Sequence, residues 1–402
     1  MRLRAVYLAL SIRMLAIPIP AFAQAPADAA QPLPLATPST GSGEQAPKAD
    51  DPLEHWTLNA TLEGFYEYNW NRPPDRVNTL RIYDTRANTF GIQQAALVVE
   101  SAPDRKENRP FGLRLDLQFG QATENTQGSS LNEPRPDAYR YLWQAYGSYV
   151  FPGSRRVQVD FGKFASNFSY ETNYAKDDDH FSRSLLFAFL PAYHSGVRTQ
   201  VTLNDRVTLL YMLTNGVQQT EEFNEFKSNQ FAAVVTPAKN VSWTINYYFG
   251  QEQPDGGATG GPDGWLHIFD TYVTYTPTGQ VSLGADANYT SNQVREGDPR
   301  STLTGFAGYV RYQPLAAARF ALRYEHLDDS GGLFGGVPQV LNEVTLTAEH
   351  KVADGFLIRG ELRHDASDTG FFPSRSTDVL KRGQTTALVG AVWWIGGKKG
   401  VW

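Results

Sequence analysis

From Trp56 onward the chain alternates apolar and polar residues with a period of two, in segments of about ten residues. Trp56, Leu58, Ala60, Leu62, Gly64, Tyr66, Tyr68 and Trp70 share one face, and Asn59, Thr61, Glu63, Glu67 and Asn69 share the other. The pattern returns in Phe111, Leu113, Leu115, Leu117 and Phe119 against Arg114, Asp116 and Gln118. It returns again in Val241, Trp243, Ile245, Tyr247 and Phe249 against Ser242, Thr244 and Asn246. Such segments fall near 56–71, 89–101, 111–121, 139–151, 155–165, 194–203, 206–215, 227–236, 239–250, 265–276, 279–291, 301–313, 316–328, 339–351, 355–366 and 384–396. At about 9–13 residues most are long enough to cross a hydrocarbon layer when tilted, whereas a soluble sandwich needs only about five or six.

The connections sort into two alternating classes. Short, turn-like links such as Pro152-Gly153-Ser154, Asn204-Asp205, Pro277-Thr278 and Ala353-Asp354 follow the even-numbered segments. Long polar links follow the odd-numbered ones, at roughly 72–88, 122–138, 166–193, 216–226, 251–264, 292–300, 329–338 and 367–383. Lipid offers no partner for an open sheet edge, so strands in a membrane must close into a ring. The expectation is therefore an all-β, transmembrane, antiparallel up-and-down barrel of about sixteen strands, with short periplasmic turns and long extracellular loops. Sixteen strands enclose a water-filled lumen. The aromatic content, 8 Trp, 20 Tyr and 23 Phe, suits the two girdles of such a barrel, with Tyr139, Tyr141, Trp143, Tyr149 and Phe151 marking the ends of one strand.

Residues 1–23 carry Arg2 and Arg4, an apolar middle interrupted by Arg13, and Ala21-Phe22-Ala23, the layout of a secretory signal peptide. Its removal takes the net charge from −6 to −9. Residues 24–50 are rich in Ala and Pro and read as a flexible periplasmic segment, leaving 51–402 as the outer-membrane barrel. An acidic exported chain without basic runs argues against nucleic acid as a partner and leaves outer-membrane lipid, ions and small hydrophilic solutes.

The longest link, 166–193, holds Glu171, Lys176, Asp177, Asp178, Asp179, His180 and Arg183, then the apolar run Leu185 to Leu190. An apolar piece in a polar loop needs a surface, and folding into the lumen would provide one. Across a sixteen-strand ring lie strands thirteen and fourteen, and there Arg319 and Arg323 of strand thirteen and Arg359 and Arg363 of strand fifteen, beside Glu325 and Glu361, fall on the inward phase. The expectation is a pore constriction with acidic loop residues facing this lumen wall. The alternative is ordinary lumen pairing of these arginines with Glu325, Glu361 and Glu349.

Gly162-Lys163-Phe164, Ser169-Tyr170-Glu171, Phe181-Ser182-Arg183-Ser184-Leu185-Leu186-Phe187 and His194-Ser195-Gly196-Val197-Arg198 resemble the OmpL-like putative beta-barrel porin family, and the likeness covers most of the chain after Trp56. The resemblance implies an outer-membrane porin and leaves the solute open. By analogy with porins of this size a homotrimer is expected. Outer-membrane barrels commonly end on an aromatic; here either Trp402 or Trp393 and Ile395 fill that role, because Gly396-Gly397-Lys398-Lys399-Gly400 breaks the alternation.

Enzyme chemistry finds little support. The absence of cysteine removes thiolate nucleophiles, thiolate zinc sites and disulfides. His194 and Ser195 point to opposite faces of a strand, a poor catalytic pair. Asp177-Asp178-Asp179-His180 lacks the spacing of a metal site, so neither metal nor cofactor is expected. The competing functions are a plugged structural or adhesive barrel and, more remotely, an outer-membrane hydrolase.

Overall fold

The computed structural model describes residues 54–127, 133–153, 156–253, 263–376, 379–398 and 401–402. The signal peptide and the Ala/Pro-rich segment read in the sequence lie outside the described residues. Sixteen strands form one closed sheet. They are β1 (Thr57–Asn69), β2 (Thr89–Ser101), β3 (Phe111–Phe119), β4 (Leu142–Val150), β5 (Arg156–Ala165), β6 (Tyr193–Asn204), β7 (Val207–Thr214) and β8 (Ser228–Ala238). The ring continues with β9 (Val241–Gly250), β10 (Leu266–Tyr275), β11 (Val281–Asn292), β12 (Ser301–Leu315), β13 (Ala318–Asp329), β14 (Gln339–Ala353), β15 (Phe356–Ser367) and β16 (Gly383–Gly396). Each pairs antiparallel with its sequence neighbours. The seam closes between β1 and β16, with Leu62 opposite Trp393 and Phe65 opposite Gly390. Three short helices interrupt the long links: α1 (Ala122–Asn125), α2 (Pro136–Tyr139) and α3 (Leu185–Phe189). No described helix is long and apolar enough to cross a membrane, which says nothing against crossing by strands.

The alternation in the sequence becomes the two faces of the wall. Phe90, Phe161 and Ile395 are 84%, 70% and 74% exposed on the outside, whereas Asn59, Glu63, Asp116 and Asn246 are buried within. A surface of this kind is stable only against an apolar solvent.

Two details of the aromatic girdle are corrected. Tyr139 ends α2, a turn favoured by Pro136 at its start, and its hydroxyl donates to Glu221 Oε1 at 2.7 Å. Trp143 is buried and borders the lumen cavity, because the β3–β4 register shifts between Asp116 and Leu117. A bulge adds one residue to the strand and so reverses the phase of everything before it. At the end of the chain, Trp393 and Ile395 face outward on β16, while Trp402 is buried inside against Tyr174, Ala96 and Val98.

The main apolar core lies in the lumen. Phe168, Leu185, Leu186 and Leu190 of the 166–192 link pack on Leu303, Ala307, Leu327 and Leu341 of β12 to β14.

Candidate functional site: a loop docked inside the barrel

The link between β5 and β6 leaves a strand pair that approaches its neighbours closely. Gly162 adopts φ 135°, and a Cβ there would sit 2.2 Å from the Ala145 carbonyl oxygen, so the Gly-Lys-Phe motif needs its glycine. Lys163 beside it donates to Gln127 at 2.7 Å and lies 3.8 Å from the centre of the Tyr193 ring.

A loop docked inside a barrel buries irregular backbone, and each polar group so buried needs a partner. The wall supplies them by charge type. Wall carboxylates take the loop N–H groups. Glu325 accepts from Leu185 and Leu186 at 2.7 and 3.1 Å, and Glu361 accepts from Phe181 and Ser182 at 2.8 and 3.2 Å. Glu63 accepts from Ala175 at 2.8 Å, and Asp286 from Tyr170 at 2.9 Å. Wall arginines take the loop carbonyls. Arg359 donates to Ala175, Asp178 and His180, Arg363 to Arg183 at 2.6 Å, and Arg323 to Ser182 at 3.1 Å. Arg183 ties the loop to itself through the carbonyls of Thr172, Phe181 and Asn173. Ser184 caps α3, its side chain accepting from the Phe187 N–H at 3.0 Å.

Buried charges persist only when paired. Arg323 reaches Glu343 at 3.0 Å and Glu171 at 2.6 Å, Arg359 reaches Glu349 at 2.7 Å, and Arg363 reaches Asp365 at 2.8 Å. Of the residues singled out in the sequence, the structure therefore joins Glu171 to Arg323, and Asp179 to Arg319 at 3.2 Å. Glu325, Glu361, Arg359 and Arg363 meet loop backbone. Lys176 and Asp177 pair with each other at 2.6 Å, beside Trp402, whose N–H donates to Asp177 at 3.1 Å and whose ring lies 4.4 Å from the Lys176 ammonium. The three consecutive aspartates thus turn to three different partners, Asp178 taking Arg183 at 3.1 Å.

Burial pushes the Asp178 carboxyl up to about 7, against the Arg183 guanidinium that favours its ionised form. Burial, reinforced by Arg323, Arg359 and Arg363, holds His180 well below the usual histidine range. Its Nδ1 lies 2.7 Å from the Thr347 hydroxyl. Burial also lowers Lys176 and raises Asp177.

Sequence reasoning missed the sockets. Gly284, Gly305 and Gly390 fall on the inward phase of their strands, and a Cβ on each would lie 2.6, 2.4 and 2.4 Å from Tyr170, Leu186 and Phe181 of the loop. The available signal was a glycine where the alternation calls for an inward side chain. Beside the docked loop remains a cavity of about 790 Å³, bordered by Arg114, Arg198, Arg311, Arg319, Asp179 and Trp402 among others. Among the described residues no group of three or more His, Asp or Glu is placed to hold a metal ion.

The model of one family, described as Putative beta-barrel porin-2, OmpL-like, matches residues 55–393. The chain belongs to that family. Three solved structures show the fold this OmpL-like porin-2 chain shares. An anion-selective porin from Comamonas acidovorans is 10% identical with a TM-score of 0.59, over 85% of this chain and 99% of that one. The outer membrane channel DcaP of Acinetobacter baumannii is 11% identical with a TM-score of 0.54, over 85% and 97%. A trimer form of OmpT, an outer membrane protein of Vibrio cholerae, is 13% identical with a TM-score of 0.51, over 85% and 99%. No curated protein matches the sequence.

Proposed function

We propose that this protein is an outer-membrane diffusion porin, exported by its N-terminal signal peptide, which passes ions and small hydrophilic solutes through a channel narrowed by residues 166–193. It performs no enzymatic step and uses no cofactor. One observation carries the reading: a loop inside a sixteen-strand ring is fastened to the far wall by carboxylate and guanidinium contacts, beside a cavity of about 790 Å³. Glu171, Asp178 and Arg183 act in this reading as fasteners of the constriction, together with Arg323, Glu325, Arg359, Glu361 and Arg363. Lys176, Asp177, Asp179 and Arg319 border the remaining space. The trimer form of the Vibrio cholerae protein supports a homotrimer in outer-membrane lipid.

The test is single-channel recording of the refolded protein in a planar bilayer under a salt gradient, repeated after deletion of 176–190. A steady conductance that rises on deletion is expected, and the reversal potential reports the preferred ion sign. Folded barrels without conductance would overturn the channel reading in favour of a plugged structural barrel. That rival draws on the dense packing of the loop against β12 to β15.

A further inference from the structure

Most arginines of the lumen hold an acid at close range, although Arg81 Nε and Arg363 Nη2 lack a hydrogen-bond partner. Arg114 holds Asp116 through two parallel hydrogen bonds at 2.9 Å, Arg198 holds Asp160 at 2.8 Å, and Arg323, Arg359 and Arg363 are tied as described. Arg311 and Arg319 differ. They project from β12 and β13 into the cavity near the short-turn rim, and both approach one carboxylate oxygen, Asp179 Oδ1, at 3.8 and 3.2 Å, with Arg319 Nε also 3.5 Å from Glu349 Oε1. Among the described residues Arg311 makes no hydrogen bond to protein, and the Nε–H groups of both arginines lack a hydrogen-bond acceptor. Two guanidiniums, each a fork of five donors, thus converge on one oxygen of Asp179, Arg319 being also near Glu349, beside the stacked rings of Tyr170 and Tyr309 at 4.3 Å.

We infer that Arg311 and Arg319 form a binding subsite for the carboxylate of a permeating solute, in which Asp179 of the loop is the resident occupant. A carboxylate matches the fork geometry of arginine and would satisfy the spare donors. The resident is itself a carboxylate, so the site already displays the chemistry it would accept. The solute class named here rests on the porin reading, in which solutes pass beside the docked loop through this cavity.

The test uses the full mature chain refolded in detergent. Trp143, Trp394 and Trp402 border the same cavity, so intrinsic tryptophan emission reports its occupancy. Succinate is titrated at constant ionic strength against its neutral diamide and against inorganic phosphate. A saturable response to succinate and none to the diamide is expected. Asp179→Asn should lower the half-saturating concentration by about tenfold and Arg311→Gln should raise it by about tenfold, with Arg311→Lys recovering only part. Opposite signs for the two substitutions separate a site from a structural contact, since a loosened fold would move both the same way. Shifts of the same sign, no saturable response, or tighter phosphate than succinate would each overturn the assignment. Conductance recorded on the same preparations separates the two readings. Succinate binding without conductance removes the porin, and conductance without succinate binding removes the subsite.

Discussion

Glu361 offers the sharpest test of how the loop is held. Its carboxylate accepts the N–H of Phe181 at 2.8 Å, that of Ser182 at 3.2 Å and the Thr347 hydroxyl at 3.0 Å, all in a buried setting. Glu361→Ala removes every one of these acceptors and strands two main-chain donors. An orphaned buried donor costs about 1–3 kcal/mol, so the docked loop should lose about 2–6 kcal/mol. At about 1.4 kcal/mol per factor of ten, the undocked population rises by roughly 30-fold or more. Glu361→Gln keeps one acceptor oxygen and should lose roughly half as much. Lys176 and Arg183 are buried in the docked loop, so trypsin reaches them only when it opens, and cleavage follows the open population when opening is fast. The assay is the cleavage rate of folded barrels, with barrel integrity followed separately by far-UV circular dichroism. An unchanged rate in Glu361→Ala, on an intact barrel, would refute the idea that wall carboxylates hold the loop through its backbone.

Two further outcomes follow from the same geometry. Gly390→Ala places a methyl 2.4 Å from Phe181 Cδ2 and should cost the docked loop about 1–3 kcal/mol by overpacking, whereas Gly360→Ala, with nothing within 4 Å, should be silent in the same trypsin assay. The raised Asp178 group favours the docked loop in its protonated form. That contribution is complete below the ordinary aspartate range and is lost as pH rises through about 7. Trypsin protection, corrected for the enzyme's own pH profile, should therefore fall between about pH 4 and 8 in the native chain, and Asp178→Asn should flatten the curve. A native curve already flat would show that Asp178 ionises freely.

Much of the barrel was legible because its code is local. The pairs Leu58 and Asn59, or Leu117 and Asp116, state which face a residue occupies without reference to any distant segment, and the strands found differ from those read by a few residues at their ends. The exceptions have local causes that alternation does not record: a bulge turns Trp143 inward, and Pro136 starts a helical turn before β4. The site was legible only as a list of residues. Inward phase identified Arg323, Arg359, Arg363, Glu325 and Glu361, but phase names a face and not a partner. Charge complementarity suggested acid against arginine, and the structure keeps such pairs, Arg359 with Glu349 and Arg363 with Asp365, but also gives Glu361 and Glu325 to loop N–H groups and Arg359 and Arg363 to loop carbonyls.

The sequence by itself determined the number of strands, their phase away from the β4 bulge, and the rim on which the long links lie, since each follows from a period of two and from turn chemistry within a few residues. Closure decided the rest. Glu325 and Leu185 are 140 residues apart and meet because the ring carries the β5–β6 loop across to β13, and the inward glycines leave room for its side chains. An irregular loop takes its hydrogen bonds wherever the enclosing wall presents them, and only the closed barrel specifies where that is.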